Sequence, residues 1–147
     1  LAAEKVRCFG LQPNIALISF SDFGSDDAES SCEARRAVAL LHERYPDLSV
    51  DGEMQIQTAL QLAQRDAKYP QNKLKGKQVN VLVFPRLSAA NACYQLLKAV
   101  GNADEVVGPI QVGLARPIYF ADHDASVKDI VNITAMASLD SNACIVG

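Results

Sequence analysis

Apolar residues fall into short unbroken runs, and between the runs they recur at helical spacing. The run NIALISF at 14–20 is rich in Ile and Leu and predicts a strand covered on both faces. VNVLVF at 79–84 predicts a second buried strand, and LSVDGE at 48–53 a short strand with an acidic end. In DAESSCEARRAVALLHERY (27–45), Ala34, Val38 and Leu41 recur on one helical face, and Pro46 stops the helix. MQIQTALQLAQRDA (54–67) is also helical. SAANACYQLLKAVG (88–101) predicts a helix with Ser88 as N-cap and Gly101 as its stop. SVKDIVNITAMASLD (126–140) is a closing helix with Ser126 as N-cap, and residues 1–9 read as the end of a helix followed by Gly10. VVGPIQVG (106–113) and RPIYF (116–120) are short extended segments separated by a turn. YPQNKLKGKQ (69–78) is a polar loop and the segment expected to be most mobile.

Strands alternate with helices, each pair taking about 30 residues. The expected fold is therefore α/β, a three-layer α/β/α arrangement around a mostly parallel sheet. No internal repeat or low-complexity stretch interrupts it.

The 147 residues allow one domain or a large piece of one, and such a chain buries about 70% of its unfolded surface. Half of the residues are hydrophobic, yet no apolar run approaches the ~20 residues of a membrane span. The net charge of −3 is too mild to steer nucleic acid, and there is no basic stripe with interleaved aromatics. Neither a nucleic acid nor a membrane is an expected partner. Cys8, Cys32, Cys93 and Cys144 form no C-x-x-C pair and read as buried free thiols in a reducing compartment, the cytoplasm. The chain starts inside a helix rather than at Met, which reads as a fragment of a longer polypeptide.

In parallel sheets, ligands sit beyond the carboxyl ends of the strands. The loop SFSDFGS places Ser19, Ser21, Gly24 and Ser25 there, between a strand and a helix. Hydroxyls, a permissive glycine and helix N–H groups can hold an anion. Asp22, Asp26 and Asp27 crowd the same place, and acids satisfying a helix N-terminus are the simpler reading. Asp51 and Glu53 share one side of their strand; such a pair does acid–base work, holds a cation, or caps a neighbouring turn. Arg86 lies near a helix start with Asn91. ADHDAS aligns Asp122, His123 and Asp124, a proton-relay pattern or a surface turn leading into a helix. The other histidine, His42, lies mid-helix between Leu41 and Glu43, far away in sequence, so no metal site is expected. A Walker lysine and a complete G-x-G-x-x-G are both lacking.

The blocks IALISFSDFGS, PDLSVDGEMQIQTAL, GKQVNVLVFPRLSAANACYQLLKAVG, VVGPIQVGLARPI and ASVKDIVNITAMA follow one another as in phosphate acetyltransferases (phosphotransacetylases). The sequence resembles most the phosphotransacetylase-like C-terminal domain of bacterial NADP-dependent malic enzymes, over residues 1 to about 140. The resemblance implies a phosphotransacetylase-like, isocitrate dehydrogenase-like fold, of which this is a fragment of a larger two-subdomain unit. It divides the chain at about 105, into an inserted α/β subdomain (about 1–105) and a return segment with the closing helix (about 106–147).

In active members the segment after a G-L-x-x-P turn reads roughly L-S-R-G-C-S, followed by an Asp proposed to help deprotonate the coenzyme A thiol. The resemblance puts Asp122 in place of that Ser, His123 in place of the Arg, Asp124 for the Gly and Ala125 for the Cys. Ser126 is retained, and Asp129 matches the family's Asp. Arginine gives phosphates a permanent bidentate fork, whereas a histidine at neutral pH is mostly uncharged. No catalytic residue is therefore assigned. Ser19, Ser21, Gly24, Ser25, Asn91, Ser126 and Asp129 are the candidate acyl-CoA or phosphate contacts. The fragment itself is expected to carry no cofactor, with acetyl-CoA as effector. NADP and a divalent metal belong to the catalytic part of such malic enzymes. The implied role is an acetyl-CoA-responsive regulatory domain in a homo-oligomer. The alternatives are an active phosphate acetyltransferase and a module that chiefly assembles the enzyme.

Overall fold

The structure is a computed structural model and describes residues 1–101, 108–114, 118–121, 123 and 125–143, the last three as backbone only. The elements run α1 (Ala2–Cys8), β1 (Ile15–Ile18), α2 (Glu29–Arg44), β2 (Val50–Met54), α3 (Ile56–Leu60), α4 (Leu62–Lys68), β3 (Val81–Val83), α5 (Leu87–Val100) and α6 (Val127–Ala143). The fold is α/β, as the alternation predicts. The three strands are parallel, in the order β2-β1-β3.

The central strand, β1, carries the unbroken apolar run Ile15–Ile18. All four residues of β1 are buried, as a strand flanked by neighbours and covered on both faces requires. Ala16 and Ile18 pack with Met54, Ala59, Leu74 and Val79 into the core. α2 lies against β2 and β1 and buries Ala34 and Val38, with Ser31 one turn earlier. It ends at Arg44, just before Pro46.

Several expectations need correction. The strand predicted at 79–84 is only Val81–Val83, at the sheet edge, and none of its three residues is fully buried. The helix predicted at 54–67 is two short helices with a break at Gln61, whose ψ of 79° is not helical. The loop at 69–78 is pinned rather than loose. Leu74 and Asn72 in it are buried, and Lys73 and Gly76 donate backbone N–H bonds to Asp51 and Asp66. Nor are the thiols buried: Cys8 is exposed, and Cys32 and Cys93 are half-buried and free. Cys8 lies on α1, which buries none of its residues. Cys144 lies outside the described residues.

Contacts divide the chain into two units, residues 12–95 and residues 1–11 with 96–147. Among its described residues the second unit contains α1, α6 and an antiparallel bridge from Ile110 to Tyr119, within the segments predicted to be extended. Lys5 of α1, Tyr119 of the bridge and Asp140 of α6 are joined by hydrogen bonds. Burial works against the charge on Lys5, yet bonds to Asp140 and Tyr119 raise its pKa overall. Burial alone would raise Asp140, but the Lys5 and Tyr119 bonds hold it below the usual carboxylate range. α1 ends at Phe9, and Gly10 follows at φ +73°, the left-handed turn that glycine permits.

Candidate functional site

The carboxyl ends of β1 and β2 converge on the loop 19–25. Ser19 donates its N–H to Met54 O, and Phe23 donates to Glu53 O, so the loop is laid along the end of β2. The register between the strands slips here: Leu17 faces Gly52 while Ile18 faces Met54, leaving Glu53 as an extra residue. Such a bulge re-aims a side chain at a strand end. Gly52 is required beside it. A Cβ there would lie 2.7 Å from Leu17 O, and its φ of +148° disfavours other residues.

The bulged Glu53 is fully buried, and its Oε1 accepts three hydrogen bonds. Ser21 Oγ donates at 2.7 Å, Gly24 N at 2.9 Å and Arg35 Nη1 at 3.0 Å. The cradle that sequence reasoning offered to an external anion is thus filled by an internal one. Ser21 gives its single proton to Glu53, so Ser25 is the donor in their 3.2 Å contact. Ser25 Oγ also accepts from Asp22 N at 2.9 Å, and Ser19 Oγ accepts from Ser21 N at 3.3 Å. Ser19, Ser21, Gly24 and Ser25 therefore form one network around Glu53. Among the described residues, Glu53 Oε2 has no hydrogen-bond partner.

Arg35, on α2, ties the loop to this carboxylate. Its guanidinium also donates to Asp26 O at 2.9 Å and to Asp27 Oδ1 at 2.7 Å. Burial disfavours its charge, but the Glu53 charge, aided by Cys32 and Asp27, raises its pKa. The acids at 26 and 27 thus help hold a loop and a helix start. Asp26 Oδ1 accepts from Ala28 N at 2.7 Å, next to the start of α2.

Asp51 and Glu53 do not act as a pair. Asp51 accepts from Lys73 N at 2.6 Å and from Gly52 N at 3.0 Å, while Glu53 serves the serine loop. His42 reaches the Val50 carbonyl at 2.8 Å and lies 3.9 Å from Asp51. Among the described residues, no group of three or more His, Cys, Asp or Glu side chains is placed to hold a metal.

The remaining candidates belong to α5, and to α6 and the segment that leads into it. Asn91 is exposed on α5, which begins at Leu87, so that Ser88 lies inside the first turn rather than at the N-cap. Ser126 immediately precedes α6 and closes a reciprocal cap. Its N–H and Oγ donate to Asp129 Oδ2 at 2.9 and 2.7 Å, and Asp129 N donates back to Ser126 Oγ at 3.2 Å. These bonds, the side-chain one foremost, hold Asp129 below the usual carboxylate range. His123 is exposed, and Asp122 and Asp124 lie outside the described residues.

Sequence reasoning did not single out Arg65. Its side chain is fully buried and donates to the carbonyls of Ala59 (3.2 Å), Leu74 (2.8 Å) and Lys77 (2.8 Å) and to Asp66 (3.1 Å). Polar residues at helical spacing look solvent-facing, and nothing local marks the one that turns inward. Beside it, beyond the ends of β1 and β2, a recess of about 160 Å³ is lined by Asp22, Gln55, Thr58, Gln64, Lys68 and Tyr69, among others.

A family profile described as phosphate acetyl/butaryl transferase matches residues 1–138. The chain belongs to the phosphate acetyl/butaryl transferase family. An NADP-dependent malic enzyme of Escherichia coli is 43% identical over 141 residues, covering 96% of this chain and 18% of that enzyme. A phosphate acetyltransferase of Treponema pallidum is 41% identical over 144 residues, covering 96% of this chain and 42% of that protein. A phosphotransacetylase structure from Streptococcus pyogenes matches with a TM-score of 0.84 at 30% identity, over 99% of this chain and 43% of that one. The chain thus spans about a fifth of the malic enzymes and about two fifths of the acetyltransferases it resembles. The family accounts for the α/β sheet and for the order of the sequence blocks. Among the described residues, no helix is long and apolar enough to cross a membrane.

Proposed function

We propose that the chain is the phosphotransacetylase-like domain of a malic enzyme, silent as an acetyltransferase and responsive to acetyl-CoA. The parent oxidises and decarboxylates malate to pyruvate with NADP in the cytoplasm, and the domain also holds its subunits in a homo-oligomer. One observation carries the loss of transferase activity. His123, with Asp122 and Asp124 on either side, replaces the arginine that the family resemblance expects there. Acetyl phosphate and coenzyme A bring several negative charges, and desolvating them beside further carboxylates is unfavourable. The candidate contacts with the coenzyme are Ser19, Ser25, Asn91, Ser126 and Asp129. Ser21 and Gly24 would join them only by releasing Glu53. A regulatory role requires acetyl-CoA to bind two states of the parent differently.

A second reading, an active phosphate acetyltransferase, is favoured by the retained Ser126 and Asp129 and by the 41% identity to the Treponema enzyme. The intact parent separates the two. Acetyl-CoA is expected to lower malate-dependent NADP reduction and, with phosphate, to yield no acetyl phosphate. Enzymatic acetyl phosphate formation would establish the second reading, and an NADP-reduction rate unchanged by saturating acetyl-CoA would exclude the sensing role.

A further inference from the structure

The recess beyond β1 and β2 is lined by side chains of opposite charge; the Asp22 carboxylate, unlike its backbone N–H, lies outside the serine-loop network. Asp22 is buried, with 7% of its surface exposed, and its Oδ1 accepts from Gln55 N at 2.8 Å. Lys68 makes no ion pair within 4 Å among the described residues; its ammonium lies 5.1 Å from the Tyr69 ring centroid. Its pKa is raised, first by the hydrogen bond to Tyr69 and also by the Asp22 charge, so it is cationic at neutral pH. The Arg65 guanidinium bounds the recess but commits four of its five N–H groups to three carbonyls and Asp66. It gives the recess a fixed wall. Gln64 and Thr58 supply a carboxamide and a hydroxyl, and Gln55 and Gln57, each with one N–H already given to Phe20 O and Gln61 Oε1, keep their carbonyl oxygens as acceptors.

A phosphate or a dicarboxylate would meet Asp22, and a diamine would meet Lys68. A molecule with one ammonium and one carboxylate satisfies both. A volume of about 160 Å³ holds about five waters' worth of ligand at about 30 Å³ each. That suits a small α-amino acid, and the amide-rich lining suits an uncharged polar side chain.

We propose that this recess binds a small zwitterionic α-amino acid, its ammonium on Asp22 and its carboxylate on Thr58 and Lys68. The inference is independent of the acyl-CoA reading, since it uses none of the same residues.

The test is calorimetric titration of the full-length protein with L-asparagine, and with succinamate, which has the same skeleton without the ammonium. Saturable binding of L-asparagine alone is expected. Lys68→Met and Thr58→Val should each weaken it by about tenfold or more, about 1.4 kcal/mol per factor of ten. Lys68 is exposed, so its variant should keep the wild-type melting temperature, which confirms that any loss is local. No heat with L-asparagine at millimolar concentration, equal binding of succinamate, or undiminished binding by folded Lys68→Met would each overturn the proposal.

Discussion

Replacing Arg65 by Met keeps most of the apolar stem and deletes the guanidinium. Three carbonyls then lose their donor, those of Ala59, Leu74 and Lys77. An unsatisfied buried acceptor costs about 1–3 kcal/mol. The Lys77 bond is partly accessible, so water can replace it, and the other two are buried. The expected loss is therefore about 2–6 kcal/mol. Because these bonds fasten the 72–77 loop to α4, the loss should first appear as local opening. Hydrogen exchange at the Lys73 and Gly76 amides, which donate to Asp51 and Asp66, reads this directly. A loss of 2 kcal/mol accelerates such exchange by about thirtyfold, at 1.4 kcal/mol per factor of ten. Arg65→Lys, which can reach one or two of the carbonyls, should fall between. Exchange in Arg65→Met within about threefold of wild type, a change of under 1 kcal/mol, would refute the assignment of Arg65 as the fastening.

Gly52→Ala places a Cβ against Leu17 O in a backbone conformation unsuited to alanine; denaturant unfolding should show a loss greater than about 1 kcal/mol. The Lys5–Tyr119–Asp140 cluster predicts a pH response. Asp140 titrates below its ordinary value when folded, so its stabilisation is present above that value and disappears as pH falls through the folded pKa. Lys5 titrates above its ordinary value, so its contribution is complete below that value and is lost as pH rises through the folded pKa. Thermal scans across pH should show both slopes, and Asp140→Asn should flatten the acid one. Ser126→Ala removes the α6 cap and should cost about 1 kcal/mol, measured as faster exchange in the first turn of α6, whereas Ser126→Thr should preserve protection.

The parts of the fold governed by strong local pattern were legible. The β1 run, the α2 face of Ala34 and Val38 with its Pro46 stop, and the Ser126 cap stand where the sequence puts them. Features decided by tertiary contacts were not. The loop 69–78 looks polar and free, yet buried Arg65 and Asp51 hold its backbone. The short edge strand β3 lies within a longer apolar run whose residues lack the cover that central strands receive. At the candidate site, the serine loop was legible as a strand–helix turn whose acids serve the helix start and whose hydroxyls and glycine can hold an anion. The occupant was not, because a one-residue bulge at Glu53 aims that carboxylate into the loop, and periodicity alone separates no bulged strand from a regular one.

Glu53 has a further consequence for how the serine loop would meet a phosphate. The carboxylate is tethered to the donors that hold it, so it competes as a resident inhibitor at an effective concentration that dissolved anions do not reach. Any anion taking its place must also supply a new home for a buried charge. Exchange at this loop is therefore a cost set by the protein's own chain, and raising the phosphate concentration alone does little to overcome it.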